Sequence, residues 1–385
     1  MDSYIIVKSK GKSLLMCNPF CPLFSEEGRN VVRSKWRQIC VLSIFLLLSG
    51  SFLALNYISL DFYSFIVKTW TRWFRADGQE WDATPPWRTS PPTTLLSTTQ
   101  TPWKPLGPFE ILYPHSYHFI LDEQERCKSQ SPFLVLMVPV APHNWAAREA
   151  IRQTWGNETL VPGVTISRFF LLGQVGQTDG LQDELKTESN KHHDLLQANF
   201  LDTYLNLTIK TMLMMEWLVS RCPNAIYAAK VDTDMFLNVD FLVNTLLDPH
   251  DVEPKQNYIT GSVIRKGLVQ WQKSSKWYVP KEVYPQATYP DYVSGNTYVF
   301  SMDLPAKFLV ASQHIRAFHL EDVYLGMCLE HLGLKPTDPP KPNFFYFFKI
   351  PYNRCKFADL VSVTGFDSDE LDRCWNDFQK PGLRC

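Results

Sequence analysis

The sequence predicts an α/β domain in which a mainly parallel β-sheet is covered by helices on both faces. Short apolar runs alternate with longer amphipathic segments from about residue 133 to residue 332, which is typical of strand–helix–strand units. The runs are continuously apolar, as expected for strands buried on both faces. One of them, within 225–239, leads into two carboxylates, and ligands of open parallel sheets bind at the carboxyl ends of strands.

The individual elements follow from the same patterns. Gly156 and Gly333 end helical segments, and Gly173 closes a strand. No internal repeat is present. The predicted strands are 133–138, 168–172, 225–234, 258–264 and 294–301, and the predicted helices are 144–156, 177–193, 207–221, 240–247, 304–312 and 321–332.

Composition limits the classes of function. With 385 residues, 45% of them hydrophobic, the chain can bury a full core, and its formal net charge of −1 gives no argument for nucleic-acid binding. Aromatic residues make up 14% of the chain, with 12 Trp. Aromatic faces stack well on sugar rings, although most such rings fill the core.

The N-terminal part predicts a membrane anchor. Residues 38–60 contain no charged side chain and no His, and this length spans a bilayer as a helix. Basic residues lie on both sides, with a modest excess before the span that favours a cytosolic N-terminus. A cleaved signal peptide is the less favoured alternative. The predicted organisation is a cytoplasmic tail (1–37), a transmembrane signal anchor (38–60), a lumenal stem (61–126, Pro/Thr-rich over 83–108) and a folded domain (127–385).

The cysteines and sequons agree with this topology. Asn157 and Asn206 stand in Asn-x-Thr sequons and are predicted N-glycosylation sites. An even number of cysteines fits an oxidising compartment, but their pairing stays open among fifteen connectivities. The cysteines predicted to be lumenal are Cys127, Cys222, Cys328, Cys355, Cys374 and Cys385.

Two acidic triplets have different contexts. Asp232 and Asp234 follow a buried apolar strand, and paired carboxylates suit a hard divalent cation that keeps other ligand positions for substrate phosphates. This is the device of enzymes that use nucleotide-sugar donors. The triplet at 367–369 follows Gly365-Phe366 and reads as an acidic helix N-terminus.

A second acidic pair, Glu321 and Asp322, opens a predicted helix. Neighbouring helical residues point about 100° apart, so at most one can face a shared pocket. One interpretation makes both carboxylates complements of the helix dipole. The other makes one of them a general base, because a sugar hydroxyl that attacks an anomeric carbon must lose its proton.

Four spaced motifs together resemble the β-1,3-glycosyltransferases of glycosyltransferase family 31. They are RxxIRxTWG (148–156), KVDTDMFLN (230–238), SGNTYVFS (294–301) and EDVYLG (321–326). Segments 277–280 and 346–357 are most similar to the β-1,3-galactosyltransferase branch, and the match covers roughly 130–385. One departure lies at 292–298, where Val293 replaces the branch's cysteine and Asn296-Thr297 replaces Thr-Gly.

The resemblance implies a GT-A fold and a Golgi type II membrane enzyme that uses a UDP-sugar and Mn²⁺ and inverts the anomeric configuration. By position, Asp234 is implied as a metal ligand, Asp232 lies beside the nucleotide and metal, and Asp322 is the general base. Arg148 and Arg152 fall in the motif near the donor nucleotide, with structural ion pairs as the alternative.

The predicted reaction moves galactose from UDP-galactose in β-1,3 linkage to a glycan acceptor, a terminal N-acetylhexosamine on protein or lipid. Residues 267–292, rich in Trp, Tyr, Lys and Pro, are expected to face that acceptor. Two alternatives stay open: a β-1,3-N-acetylglucosaminyltransferase, or a lectin-like relative without turnover.

Overall fold

A computed structural model describes residues 6–9, 12–15, 109, 111–176, 180–251 and 253–382, in two compact units divided after Thr99. In the first unit, strand β1 (Ile6–Ser9) pairs antiparallel with β2 (Lys12–Leu15). The predicted anchor (38–60) and Pro/Thr-rich stem (83–108) lie outside the described residues. Within the described ranges, no helix has the length and apolar character needed to cross a membrane.

The second unit is built on a seven-stranded sheet with the order β3-β6-β5-β4-β7-β10-β9. The four strands β6, β5, β4 and β7 are parallel, while β3 and β10 run antiparallel to their neighbours. A smaller sheet has the order β11-β12-β8. The prediction of a mainly parallel sheet is confirmed. The strands are β3 (Phe119–Leu121), β4 (Leu134–Pro139), β5 (Ile166–Gln174), β6 (Leu195–Leu201), β7 (Tyr227–Val231), β8 (Met235–Leu237), β9 (Ile259–Ile264), β10 (Tyr292–Ser301), β11 (Phe345–Tyr346) and β12 (Ser362–Thr364).

Helices connect these strands, and side-chain caps begin several of them. The Asn144 side chain accepts a hydrogen bond from the Ala147 N–H at the start of α2, and Asp367 accepts one from the Glu370 N–H at 2.8 Å. The structural reading of the triplet at 367–369 is therefore confirmed. The helices are α1 (Arg126–Gln130), α2 (Trp145–Gln153), α3 (Leu181–His192), α4 (Leu207–Arg221), α5 (Val239–Phe241, continued by a π-helical turn Leu242–Leu247), α6 (Leu304–Ser312), α7 (Glu321–His331), α8 (Arg354–Ala358) and α9 (Ser368–Phe378).

The large sheet is buried on both faces. Along β4, Val135 and Met137 join a core with α4, α6 and α7, while Leu134 and Leu136 join a second core with α2, α5 and α9. This alternation follows from the two-residue period of a strand. Helices cover both faces of the sheet, as the sequence predicts, although its strands also bury polar side chains such as Arg168, Gln197 and Lys230.

The packed part of the second unit begins before residue 127. Ile111 and Tyr113 are buried, and the Tyr113 hydroxyl donates a 2.7 Å hydrogen bond to Glu216 on α4. Strand β3 pairs with β6, and a disulfide joins Cys127 to Cys222 with their Cα atoms 5.0 Å apart. The boundary expected at residue 127 therefore falls inside a packed region.

Candidate active site

Asp232 and Asp234 lie on the turn that joins β7 of the large sheet to β8 of the small one. The Asp232 N–H donates to the Asn296 carbonyl at 2.9 Å, and the Asp234 carbonyl accepts the Gly365 and Phe366 N–H groups at 2.8 and 2.9 Å. Both ends of the turn are thus fixed by backbone hydrogen bonds. The Asp234 carboxylate is exposed and accepts a hydrogen bond from Thr364 Oγ1, whereas Asp232 is half-buried.

The first turn of α7 places its two carboxylates in different environments. Glu321 is buried, with Oε1 3.2 Å from Lys230 Nζ and Oε2 accepting the hydroxyls of Thr211 and Tyr298 at 3.1 Å each. Asp322 is half-buried and accepts the Gly295 N–H at 3.0 Å and the Val323 N–H at 2.9 Å. Only Asp322 is therefore placed to meet a substrate, while Glu321 belongs to the core.

Gly295 allows β10 to approach α7 closely. A Cβ atom at this position would lie 2.7 Å from Glu321 Oε1 and 3.2 Å from Asp322 Oδ2. Contacts below 3.0 Å do not occur for real side chains, so any larger residue would force the Glu321 and Asp322 side chains to shift. The SGNTYVFS motif thus requires a glycine at this position because there is no room for a side chain, and not because of the backbone conformation.

The site is electrostatically coupled through Lys230, which lies 2.7 Å from Asp232 Oδ1. Burial raises the pKa of Asp232 to about 6; Lys230 opposes this rise and the neighbouring Asp234 adds to it. Burial would lower the pKa of Lys230, but Asp232 and Glu321 outweigh it and raise that pKa. Lys230 therefore stays charged. Burial also raises the pKa of Asp322, although the N–H groups of Val323 and Gly295 offset part of the rise.

The acidic turn could supply some, but not all, of the ligands of a divalent cation. Among the described residues, no group of three or more His, Cys, Asp or Glu side chains could ligate a metal ion. Asp232 and Asp234 alone offer carboxylate oxygens, and their mutual repulsion is part of what raises the pKa of Asp232. Mg²⁺-like ions are commonly bound by one or two carboxylates together with substrate phosphates, so the donor set suits such an ion.

The charge of Asp322 also acts on tyrosines to which the sequence assigned no role. Burial, followed by the charge of Asp322, raises the pKa of Tyr204 and raises that of Tyr292 to about 12. Asp322 also contributes to the raised pKa of Tyr289. Tyr204 is 46% exposed on a short 3₁₀ turn before α4. Tyr292 begins the motif segment 292–298 and Tyr289 lies in the segment 267–292, but nothing in the sequence relates them or Tyr204 to Asp322.

Arg148 and Arg152 form a buried ion-pair network instead of projecting into open space. The side chain of Arg148 is 1% exposed, donates to both Glu188 oxygens at 2.8 and 2.6 Å, and also contacts backbone carbonyls. Arg152 pairs with Glu188 at 2.6 Å and with Asp194 at 2.8 Å. The structural alternative accounts for these contacts, and a role in donor binding stays a prediction.

A cavity lies beside Arg148, away from the acidic turn. Its volume is about 580 Å³, within the usual range for small-molecule sites. It runs between the start of α2 and α3, and its lining includes Trp145 and Glu188 but not Asp232, Asp234 or Asp322. Of the predicted donor residues, Asp232 and Asp234 thus lie on the acidic turn, while Arg148 lines this cavity and Arg152 does not.

The two predicted glycosylation sites differ in accessibility. Asn157 is exposed in the turn after α2, where its side chain accepts hydrogen bonds from Thr159. Asn206 is half-buried at the start of α4, and its Nδ2 donates to the Leu201 carbonyl at 2.8 Å. Modification at either residue stays a prediction, with Asn157 the more accessible of the two.

The second unit thus has a mixed α/β fold with a mainly parallel sheet and an acidic turn after one of its parallel strands. A family model described as Galactosyltransferase matches residues 146–340. The chain belongs to this galactosyltransferase family, which confirms the resemblance drawn from the sequence motifs.

Curated relatives support the assignment. Beta-1,3-galactosyltransferase 2 of Homo sapiens is 45% identical over 271 residues, and beta-1,3-galactosyltransferase 1 of Mus musculus is 38% identical over 273 residues. These matches cover 70% and 71% of this chain, and 64% and 82% of the respective relatives. The match therefore spans just under two thirds of the first relative. A solved glycosyltransferase involved in glycosylation of the major capsid of PBCV-1 aligns with a TM-score of 0.34 at 8% identity, over 64% of this chain and 100% of that one.

Proposed function

We propose that the protein transfers galactose from UDP-galactose in β-1,3 linkage to the terminal N-acetylhexosamine of a glycan. Family membership and relatives named beta-1,3-galactosyltransferase support this reaction. The observation that carries it is the placement of Asp322. Its half-buried carboxylate is held by Gly295, and the carbonyl of the same glycine accepts a hydrogen bond from Lys230, the ion-pair partner of Asp232. Base and acidic turn therefore belong to one connected site.

In the proposed reaction Asp322 acts as the general base. It takes the proton of the acceptor hydroxyl as that oxygen attacks the anomeric carbon, while the bond to the diphosphate breaks on the opposite face. A single displacement of this kind inverts the anomeric configuration. The raised pKa of Asp322 makes it a stronger base than an exposed carboxylate. The two backbone N–H donors keep the ionised carboxylate oriented.

Mn²⁺ is the proposed cofactor, with Asp234 as the direct ligand and Asp232 beside it. When bound, the ion would stabilise negative charge on the departing diphosphate. Asp234 suits this role because its carboxylate is exposed while its backbone is fixed by two hydrogen bonds. Lys230 holds Asp232 at 2.7 Å and so limits its freedom to turn away from the ion.

The proposed setting is the Golgi membrane, with residues 38–60 as a single-pass type II anchor and the folded unit in the lumen. The disulfide between Cys127 and Cys222 supports an oxidising compartment. The exposed sequon at Asn157 is compatible with a glycoprotein. The acceptor is carried on glycoprotein or glycolipid, and the exposed aromatic side chains of Trp271 and Trp277 support an acceptor-facing role for residues 267–292.

The test is a transfer assay with the full-length chain in detergent, Mn²⁺ and a panel of UDP-sugars, using simple N-acetylglucosamine and N-acetylgalactosamine glycosides as acceptors. We expect transfer from UDP-galactose that is lost on chelation and in the Asp234→Ala and Asp322→Asn variants. Asp369→Ala is the matched control, because this exposed aspartate belongs to the triplet at the start of α9. Its activity should equal that of the wild type.

Other results would select the alternatives. Transfer from UDP-N-acetylglucosamine in place of UDP-galactose would replace the proposed donor. Binding of UDP with Mn²⁺ but no transfer from any donor would favour a lectin-like relative and direct attention to the altered segment at 293–297.

A further inference from the structure

Lys230 is a buried cation that the proposed reaction does not use directly. It lies on the interior strand β7 and is 5% exposed. An ammonium group has three N–H donors. In this structure they meet three acceptors: Asp232 Oδ1 at 2.7 Å, Glu321 Oε1 at 3.2 Å and the Gly295 carbonyl.

These three acceptors belong to three different parts of the site. Asp232 lies on the acidic turn, Glu321 opens α7, and Gly295 lies on β10. The Gly295 N–H in turn donates to Asp322 Oδ2 at 3.0 Å. We propose that Lys230 is a positioning residue that sets the placement of the base Asp322 relative to the acidic turn, acting through Gly295 and Glu321. This inference rests on the proposed function for the roles of Asp322 and Asp232.

Strand β10 pairs irregularly with β9, which explains why its Gly295 segment needs a hydrogen bond from Lys230. On the β9 side, Val293 pairs with Val263 and the next pair is Tyr298 with Gly261, so the register shifts between them. Residues 294–297, which include Gly295, therefore leave the regular β9 ladder. A bulged stretch of this kind loses ladder hydrogen bonds. Lys230, from the opposite neighbour β7, supplies a hydrogen bond to the Gly295 carbonyl within that stretch.

Glu321, at the start of α7, connects this helix to Lys230 and to two neighbouring elements. Its second oxygen accepts the hydroxyls of Thr211 on α4 and Tyr298 on β10. With Lys230 on the first oxygen, this carboxylate cannot rotate without breaking a contact. The orientation of the first turn of α7, and hence of the adjacent Asp322, is thereby tied to β7.

The experiment must separate positioning from simple charge neutralisation. Lys230→Met alone leaves the Glu321 carboxylate buried without its cation, which destabilises a fold strongly. The double variant Lys230→Met/Glu321→Gln removes that charge, and the glutamine oxygen can still accept from Thr211 and Tyr298. If Lys230 only neutralises Glu321, the double variant should recover both thermal stability and transfer.

We expect recovery of thermal stability without recovery of transfer. In the full-length double variant, the midpoint of thermal unfolding should return toward the wild-type value while kcat stays about 10- to 100-fold low, because small displacements of a base carry such losses. The KM for UDP-galactose should change less than kcat. Hydrogen–deuterium exchange of the peptide covering 292–301 should be faster than in the wild type.

A matched control uses Arg221→Met. Arg221 forms an ion pair with Asp122 at 3.0 Å and lies on α4 about 15 Å along the helix from Thr211, at 1.5 Å per residue. Its loss should lower the unfolding midpoint without changing kcat or exchange in 292–301. Wild-type exchange in 292–301 of the double variant overturns the proposal, as does wild-type kcat. If the wild-type chain transfers no sugar, the proposed function fails, and the exchange data alone still decide whether Lys230 positions this segment.

Discussion

Glu321 and Asp322 are adjacent in sequence yet have opposite roles in the structure. Glu321 is 5% exposed and bound by Lys230, Thr211 and Tyr298. Asp322 keeps solvent access and receives two backbone N–H donors. The 100° rotation between helical neighbours produces this difference. Substitutions at the two positions should therefore affect different quantities.

Asp322→Asn should lower kcat by about 10²- to 10⁴-fold while the protein stays folded, because it removes the proposed general base. Glu321→Gln should instead lower the free energy of unfolding, since it leaves the buried Lys230 with one carboxylate fewer. Steady-state kinetics and thermal unfolding of both variants check this division. A larger loss of kcat in Glu321→Gln than in Asp322→Asn would contradict it.

The pH dependence of kcat follows from the raised pKa of Asp322. A general base must be ionised, so the rate should fall as the pH drops through this pKa. Because burial raises the pKa, the acidic limb should lie above the ordinary value of 3.8. The measurement is a pH profile of kcat at saturating UDP-galactose and Mn²⁺. A profile that stays flat down to the ordinary value would exclude the assignment.

Gly295→Ala should reduce transfer severely, because the new Cβ would lie 2.7 Å from Glu321 Oε1 and press on Asp322. Gly176→Ala serves as the control, since a Cβ there meets no atom within 4 Å. The comparison needs only kcat and the unfolding midpoint of each variant. Equal activity of the two variants would show that the site tolerates a shift of α7.

The elements of the fold were predictable where apolar pattern alone determines them. Strand β4 was expected at 133–138 and is found at Leu134–Pro139, and α4 was expected and found over Leu207–Arg221. The strand expected over 225–234 is shorter, because β7 covers only Tyr227–Val231 and the acidic turn follows it. A separate strand, β8, begins at Met235 and pairs with β12, more than a hundred residues later. Short β3 was not predicted either, because its pairing with β6 is a long-range contact.

The residues of the candidate site likewise fall into two groups: those that the sequence indicated and those that only the fold brings together. Asp232, Asp234 and Asp322 carried motif signals in the sequence. The contact of Lys230 with Glu321 joins residues 91 positions apart, and the tyrosines whose pKa values Asp322 helps to raise, Tyr204, Tyr289 and Tyr292, come from two separate segments. Such contacts depend on strand order and helix orientation, which local pattern does not encode. The sequence therefore indicates the chemistry more readily than the arrangement that supports it.

The disulfide between Cys127 and Cys222 ties α1 to the end of α4 across 95 residues. Replacing both cysteines with Ala should lower the free energy of unfolding by about 2–5 kcal/mol, since a long loop in the unfolded chain is released. Urea unfolding of the variant and of wild type, both in the absence of reductant, measures the difference. Unchanged stability would show that tertiary packing alone holds α1 in place. Transfer activity should be retained at temperatures where the variant is folded.

Considered as a whole, the folded unit depends on residues before the predicted boundary at 127. Ile111 and Tyr113 are in the core, and Trp217 Nε1 and Arg221 both donate to Asp122. These residues therefore pack on the side of the sheet that α4 covers. The chain from residue 111 onward therefore belongs to the folded unit and not to the stem.

A soluble fragment that begins near residue 105 should therefore be more stable than one that begins at 127. The shorter fragment loses β3, exposes the edge of β6 and leaves the half-buried Glu216 without the Tyr113 hydroxyl. Thermal unfolding and size-exclusion chromatography of the two fragments compare stability and aggregation. Equal unfolding midpoints would place residues 111–126 outside the cooperative unit.

The contacts of Lys230 also constrain the order of events during synthesis. Its partners Gly295 and Glu321 lie 65 and 91 residues downstream. At about 5–20 residues per second, translation delivers them roughly 3–18 s after Lys230 itself. Through that interval the middle of the nascent sheet carries an ammonium group whose acceptors on β10 and α7 have not yet been made. Strand β7 can thus reach its final buried environment only after α7 has been synthesised.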